Sequence, residues 1–329
     1  MERQEAAEIQ LLMIQFYIFK GKIVESTSDL AGADWVHISP PLTEAEIENV
    51  SKQLEIPLDF IQDSLDIDER SRYEREDESK LILINTPMVN DDEKQNEAVY
   101  ITVPIGIIIQ NTRVITVTQK ENPIIERILA HKVKNFNPAD KALFVLHIFE
   151  QNVFWFLECL KNINAKRNHI ERELYDSSRN AELKQLLRIE KSLVYFVNSL
   201  NANDLLMMKM RRTDFLKIRD RELHTDQFED IIIDNGQALE MSNVYTNILS
   251  GTMEAYASIV SNNQNAFIHR LTIITIILMV PTLVASFYGM NLEHLPFSQS
   301  PYAFYVLLAI SVFIGVLLIL FLGRNTSKK

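Results

Sequence analysis

The chain has 329 residues, more than one compact domain usually needs, and carries 44 Asp and Glu against 33 Lys and Arg, a formal net charge of −11. A surplus of acids argues against a nucleic-acid partner, because a phosphate backbone is neutralised by Lys and Arg. Cys159 is the only cysteine, which excludes an intramolecular disulfide and a cysteine-based zinc cluster.

Residues 1–10 are acidic and lack a basic region followed by an apolar one, so no signal peptide is expected and the soluble part is assigned to the cytoplasm. Residues 11–19, 36–38, 80–86, 99–110 and 113–118 read as strands, rich in Ile, Val and Tyr, with a turn at Gln110-Asn111-Thr112. Thr43 and Glu46 form a capping-box pattern after Pro40-Pro41 and predict a helix over 44–54, ended before Pro57. A short helix over 59–65 follows. Beyond Asn122 the pattern turns helical, over 123–132, 139–175 and 181–201. Residues 144–160 are strongly apolar, but His147, Glu150 and Gln151 interrupt them, so a buried helix of a soluble domain is expected there.

From 225 to 291 there is no proline except Pro281 and few glycines. This predicts one helix on the order of 100 Å long at 1.5 Å per residue. A helix of that length needs lateral packing, on its own chain or on copies of it.

Residues 271–287 and 302–323 contain no charged side chain. With uncharged flanks, each can cross about 30 Å of hydrocarbon. The expected organisation is a cytoplasmic α/β and helical domain over 1–224 and a stalk over 225–291 whose part near 268–288 is a first membrane span. An outer loop over 292–301, a second span over 302–323 and a basic tail over 324–329 complete it. His269 and Arg270 precede the first span, Arg324, Lys328 and Lys329 follow the second, and the loop has no Lys or Arg. The positive-inside rule then puts both chain ends in the cytoplasm, for a multi-pass protein of the cell membrane with lipid as a partner.

The two spans differ in kind. The second has Ser311 as its main polar side chain and reads as lipid-facing. The first carries Thr272, Thr275, Met279, Thr282 and Ser286, spaced three, four, three and four apart, which places them on one stripe. Extended downward, the stripe reaches Ile268 and Asn265. Two readings stand: helix packing, with hydroxyls bonded back to the backbone, or the lining of a pore. Two helices per chain cannot enclose a channel, so a pore requires an oligomer.

Tyr288-Gly289-Met290-Asn291 closes the first span. Ser261-Asn262-Asn263-Gln264-Asn265, Leu271-Thr272-Ile273-Ile274, Met279 and Pro281-Thr282 precede it, and Asn291-Leu292-Glu293-His294-Leu295-Pro296 runs on from it. In these residues the chain resembles the CorA family of magnesium channels, tightly over about 226–296 and more loosely in the N-terminal half. The resemblance implies an α+β membrane protein. A cytoplasmic α/β domain feeds a very long stalk helix that becomes the first of two membrane helices, and a homopentamer encloses a central pore. By position, Gly289, Met290 and Asn291 would form the selectivity filter at the outer mouth and Thr282 a polar ring below it. Met279 and Leu271 would be apolar constrictions and Asn265 a ring at the inner mouth, although Leu271 lies one residue off the stripe.

These residue types suit the ion. Mg2+ dehydrates reluctantly, and a ring of neutral amide oxygens can accept hydrogen bonds from the waters of a hydrated ion and still release it. Glu293 in the outer loop would raise the local cation concentration. The resemblance also matches Asp230 to a regulatory cation ligand and Asp91, approximately in register, to its partner on a neighbouring subunit. Mg2+ would thus be both cargo and regulator, with no organic cofactor. Its loss would leave like charges facing each other and favour a looser, conducting state.

Two alternatives remain, a Zn2+ transporter of the same fold and a membrane-anchored sensor without a pore. Co2+ and Ni2+ can share a site that reads hydrated size and charge. An enzyme is not expected. There is no Gly-rich phosphate loop and no His-Glu-x-x-His, and His147, His169, His224, His269 and His294 are scattered.

Overall fold

The computed structural model describes residues 14–21, 23–90, 97–130, 139–176, 180–290 and 302–326. The chain divides into two compact units, Met1–Thr252 and Met253–Lys329.

The first unit is built on a seven-stranded sheet. Its strands are β1 (Ile14–Lys20), β2 (Ile23–Thr27), β3 (Trp35–Ile38), β4 (Arg72–Glu76), β5 (Ser79–Val89), β6 (Tyr100–Ile109) and β7 (Val114–Thr118). Their order is β2-β1-β3-β7-β6-β5-β4. β3 and β7 run parallel, and the other neighbouring strands run antiparallel. The central strands are almost continuously apolar because both faces of the sheet are covered. Alternation assigns the faces. Leu81, Leu83, Ile108, Ile115 and Val117 pack against Phe60 and Ile61, on the side of helices α1 (Glu44–Leu54) and α2 (Leu58–Leu65). Ile82, Ile84, Ile105 and Ile107 pack against Phe144, Ile148 and Phe149. This second face carries α3 (Pro123–Leu129), α4 (Lys141–Asp176) and α5 (Asn180–Thr213).

The capping box at Thr43 forms: Glu46 N–H donates to the Thr43 hydroxyl, and Thr43 N–H donates to the Glu46 carboxylate at 2.7 Å. The apolar run 144–160 is a buried helix of this unit, with Phe144, Phe149 and Phe156 fully enclosed. Three features depart from the sequence expectation. β2 and β4 were not foreseen, because both are sheet edges whose sequences (Ile-Val-Glu-Ser-Thr and Arg-Tyr-Glu-Arg-Glu) lack an apolar run. α5 continues to Thr213 rather than stopping at 201. The polar sequence there looks like a helix end, yet Asn203 is fully buried and donates to the Asn85 carbonyl at 2.9 Å.

One helix of 67 residues, α6 (Glu222–Tyr288), follows, with Pro281 inside it. Within the first unit its buried positions are Phe228, Ile231, Ile232, Asn235, Ala238, Ser242 and Leu249. Asn235 donates to the Leu200 carbonyl at 3.1 Å, Phe228 stands 6.3 Å from Phe149, and the Arg167 guanidinium lies 6.0 Å from the Tyr245 ring. The lower stalk therefore packs laterally on α4 and α5 of its own chain. In the second unit α6 is long and apolar enough to cross a membrane. It is joined there by α7 (Ala303–Thr326), which is apolar along Phe304–Leu317.

Candidate functional site: a polar stripe and an acidic face on one helix

Between residues 261 and 287 the half-buried positions of α6 are Ile273, Ile277, Val280 and Val284; every other residue there is exposed. Their spacings of four, three and four put them on one face. At about 100° per residue, the face of Asn265, Ile268, Thr272, Thr275, Met279, Thr282 and Ser286 points roughly 150° away. The stripe picked out from sequence thus lies within the broad part of the helix that the chain itself leaves uncovered, away from the half-buried face. Met279 is 66% exposed and Leu271 53%. On α7 the buried described positions are Ser311 and Gly315, one turn apart. Ser311 is therefore withdrawn, as small residues are where apolar helices approach closely, while the described positions of 302–317 other than Ser311 and Gly315 are exposed.

The hydroxyls of Thr272, Thr275 and Thr282 donate to the carbonyls of Ile268, Leu271 and Leu278 at 2.8, 2.8 and 2.9 Å. Back-bonding of this kind keeps an exposed hydroxyl satisfied in an apolar medium. At the top of the helix Gly289 N–H donates to the Ala285 carbonyl at 2.9 Å and Met290 N–H to that of Phe287 at 3.3 Å. A Cβ on Gly289 would stand 3.3 Å from the Ala285 oxygen, a tight fit for any side chain. Asn291 and Glu293 lie outside the described residues.

Near the foot of α6, Asp226, Asp230 and Asp234 follow one another at intervals of four and share a face. All three are exposed. Partial burial pushes the Asp234 carboxyl above its ordinary range, and the negative charges of Asp230 and of Glu150 on α4 push it further. Glu229 is paired instead with Arg211 at 3.7 Å. Asp234 and Glu150 escaped the sequence reading. The interval of four from Asp230 was a signal for the first, but nothing local announced the second. Asp91 lies outside the described residues. Among the described residues no three His, Cys, Asp or Glu side chains are grouped to hold a metal ion, so a cation at Asp230 needs ligands from outside that set.

An α/β unit followed by a single very long helix and a second apolar helix is the build of a membrane transport protein. Residues 31–324 match the family described as CorA-like Mg2+ transporter protein, and the chain belongs to that family. It is a family of transporters, not of enzymes. The cobalt/magnesium transport protein CorA of Methanocaldococcus jannaschii is 27% identical over 315 residues, covering 93% of this chain and 96% of that protein. Its namesake in Thermotoga maritima is 22% identical over 319 residues, 94% of this chain and 89% of that protein. The complete structure of the M. jannaschii CorA magnesium transporter shares the fold with a TM-score of 0.77 at 24% identity, covering 94% of this chain and 96% of that one. The cytoplasmic domain of ZntB from Vibrio parahaemolyticus is more distant, with a TM-score of 0.55 at 12% identity over 77% of this chain and 98% of that one.

Proposed function

We propose that the chain carries Mg2+, and with it Co2+ or Ni2+, across the cell membrane as a homopentameric channel gated by cytoplasmic Mg2+. Family membership supports the cargo. The observation that carries the pore is the uncovered polar stripe of α6, opposite its half-buried face. A ring of copies buries that stripe around a central axis, with Asn265 at the inner mouth and Met279 and Leu271 as apolar constrictions that dewet when narrow. Thr272, Thr275, Thr282 and Ser286 supply polar rings between them, and Gly289, Met290 and Asn291 form the outer filter with Glu293 drawing cations towards it. Residues 268–288 and 302–323 span the bilayer, and both chain ends face the cytoplasm.

Regulation follows from the acidic face. Asp230, with Asp91 of an adjacent copy, would hold a cation between subunits, and Asp234 and Glu150 add to the local negative potential. Bound Mg2+ screens their repulsion and stabilises the closed assembly, while its loss releases it. The test is dye-reported Mg2+ uptake into proteoliposomes by the natural chain and by Asn291→Ala. A sharp fall in the variant supports an outer amide filter. Unchanged uptake removes Asn291 from that role, and no uptake by either correctly folded protein removes the Mg2+ channel itself.

A further inference from the structure

A cavity of about 530 Å³ opens where β3 and β7, the parallel neighbours of the sheet, end. The region beyond the carboxyl ends of parallel strands is where open α/β sheets place ligands. Gln15, His37 and Asn122 line it. Gln15 and His37 face each other in register across β1 and β3, and His37 is in turn in register with Thr116 of β7. All three side chains point to one side of the sheet.

Gln15 and Asn122 have their acceptor oxygens already engaged, and His37 is tied to Thr116. The Trp35 indole donates to the Thr116 hydroxyl oxygen at 2.9 Å, and the same oxygen lies 2.9 Å from His37 Nδ1. Thr116 keeps a second lone pair beside the one the indole uses, so this contact fits either neutral tautomer of His37. Burial drives the His37 pKa down to about 4, which keeps the ring neutral. His37 also hydrogen-bonds the Thr116 backbone and is 5% exposed, at the cavity wall. The Gln15 carbonyl oxygen accepts from the Tyr17 hydroxyl at 2.7 Å, and its NH2 group has no partner among the described residues. The Asn122 carbonyl oxygen accepts from Ile124 N–H at 2.9 Å, and its Nδ2 is buried with no partner. Gln15 and Asn122 thus offer N–H donors with no matching acceptor among the described residues.

At the rim the charge reverses. Glu121 and Glu126 line the same cavity, are exposed, and form no ion pair among the described residues. Between floor and rim lie Pro40, Ile125 and Leu129. A bare hydrated cation is a poor match for the donor floor, and a simple anion for the carboxylate rim.

We propose that this cavity binds a small zwitterion, an α-amino acid with an aliphatic side chain. Its carboxylate accepts from Gln15 and Asn122 beside the neutral His37 ring, its ammonium group pairs with Glu121 and Glu126, and its side chain rests on Pro40, Ile125 and Leu129. The assignment is independent of the transport reading. It is tested by calorimetric titration of the full-length protein in detergent with L-leucine and the other proteinogenic amino acids. Acetate and 3-methylbutylamine, each carrying half of the recognition, serve as comparators.

At least one aliphatic amino acid should saturate at one per chain, and both comparators should bind at least about tenfold more weakly. Asn122→Asp keeps a good helix cap but turns a donor into a repelling oxyanion. This variant and the exposed pair Glu121→Gln/Glu126→Gln should each weaken binding by about tenfold or more, at unchanged melting temperature for the pair. No saturable heat with any amino acid, acetate binding as tightly as the amino acid, or no loss in the Glu pair would each overturn the proposal.

Discussion

The Thr282 hydroxyl donates to the Leu278 carbonyl at 2.9 Å, so its proton is committed to the helix and its outward side presents only oxygen lone pairs. Thr272 and Thr275 are held in the same way. A hydrated cation turns its water hydrogens outward and needs acceptors, whereas a hydrated anion needs donors. Thr282→Val removes the acceptor at nearly constant shape. Mg2+ uptake into proteoliposomes is expected to fall about tenfold, equivalent to roughly 1.4 kcal/mol. Thr282→Ser should retain most of the uptake. Equal uptake by the Val variant would mean that this hydroxyl serves packing alone.

Asp230→Ala tests the feedback. With Mg2+ high on the cytoplasmic side, the natural chain should be held shut and the variant should keep conducting, by a factor of about five or more if the coupling is of ordinary size. The readout is uptake as a function of internal Mg2+. A variant with the natural inhibition curve removes Asp230 from the gate.

Asp234 predicts a pH dependence of defined sign. Its folded pKa is raised, by partial burial first and then by Asp230 and Glu150, so the folded chain holds a proton that the unfolded chain has already released. Stability from this group is present below the ordinary carboxylate pKa and is lost as pH rises through the raised folded value. Melting temperature measured from acid to neutral pH should therefore decline more in the natural chain than in Asp234→Asn. At neutral pH, added Mg2+ should raise the melting temperature of the natural chain more than that of the variant. Parallel curves would show that the acidic face stores no repulsion.

Gly106 of β6 lies directly against Ser64 of α2. A Cβ on Gly106 would stand 1.9 Å from the Ser64 hydroxyl oxygen and 2.5 Å from its Cβ. Gly106→Ala should destabilise the protein by about 1–3 kcal/mol through overpacking, read by denaturant unfolding. Ser64→Ala should not rescue it, because the Cβ clash remains, whereas Ser64→Gly should recover part of the loss. Full rescue by Ser64→Ala would place the strain in the hydroxyl alone.

Much of the molecule was legible in local pattern. Thr43 and Glu46 announced α1 because a capping box is a contact between residues three apart. The uncharged stretches announced two apolar helices because desolvation acts on each residue in turn. The breaks at His147, Glu150 and Gln151 separated a buried helix from a membrane span. The interval of Thr272, Thr275, Met279, Thr282 and Ser286 defined a stripe before any neighbour was known.

What tertiary structure alone decided lies between residues far apart in sequence. β5 runs past the start of β4, whose last pair is Arg72 with Leu83. Beyond it the Asn85 N–H donates to Asn203 Oδ1 at 3.1 Å, and its carbonyl accepts from Asn152 and Asn203 at 3.0 and 2.9 Å. That edge demand is what carries α5 through a polar sequence that resembles a helix end. The face opposite the Thr stripe is covered and the stripe is not, and Glu150 comes up beside Asp234. The Gln15 and Asn122 donors gather at the ends of β3 and β7. Helical and strand periods state which residues share a face. They do not state what that face meets, because burial and unpaired hydrogen-bond groups are properties of the assembled sheet and helices.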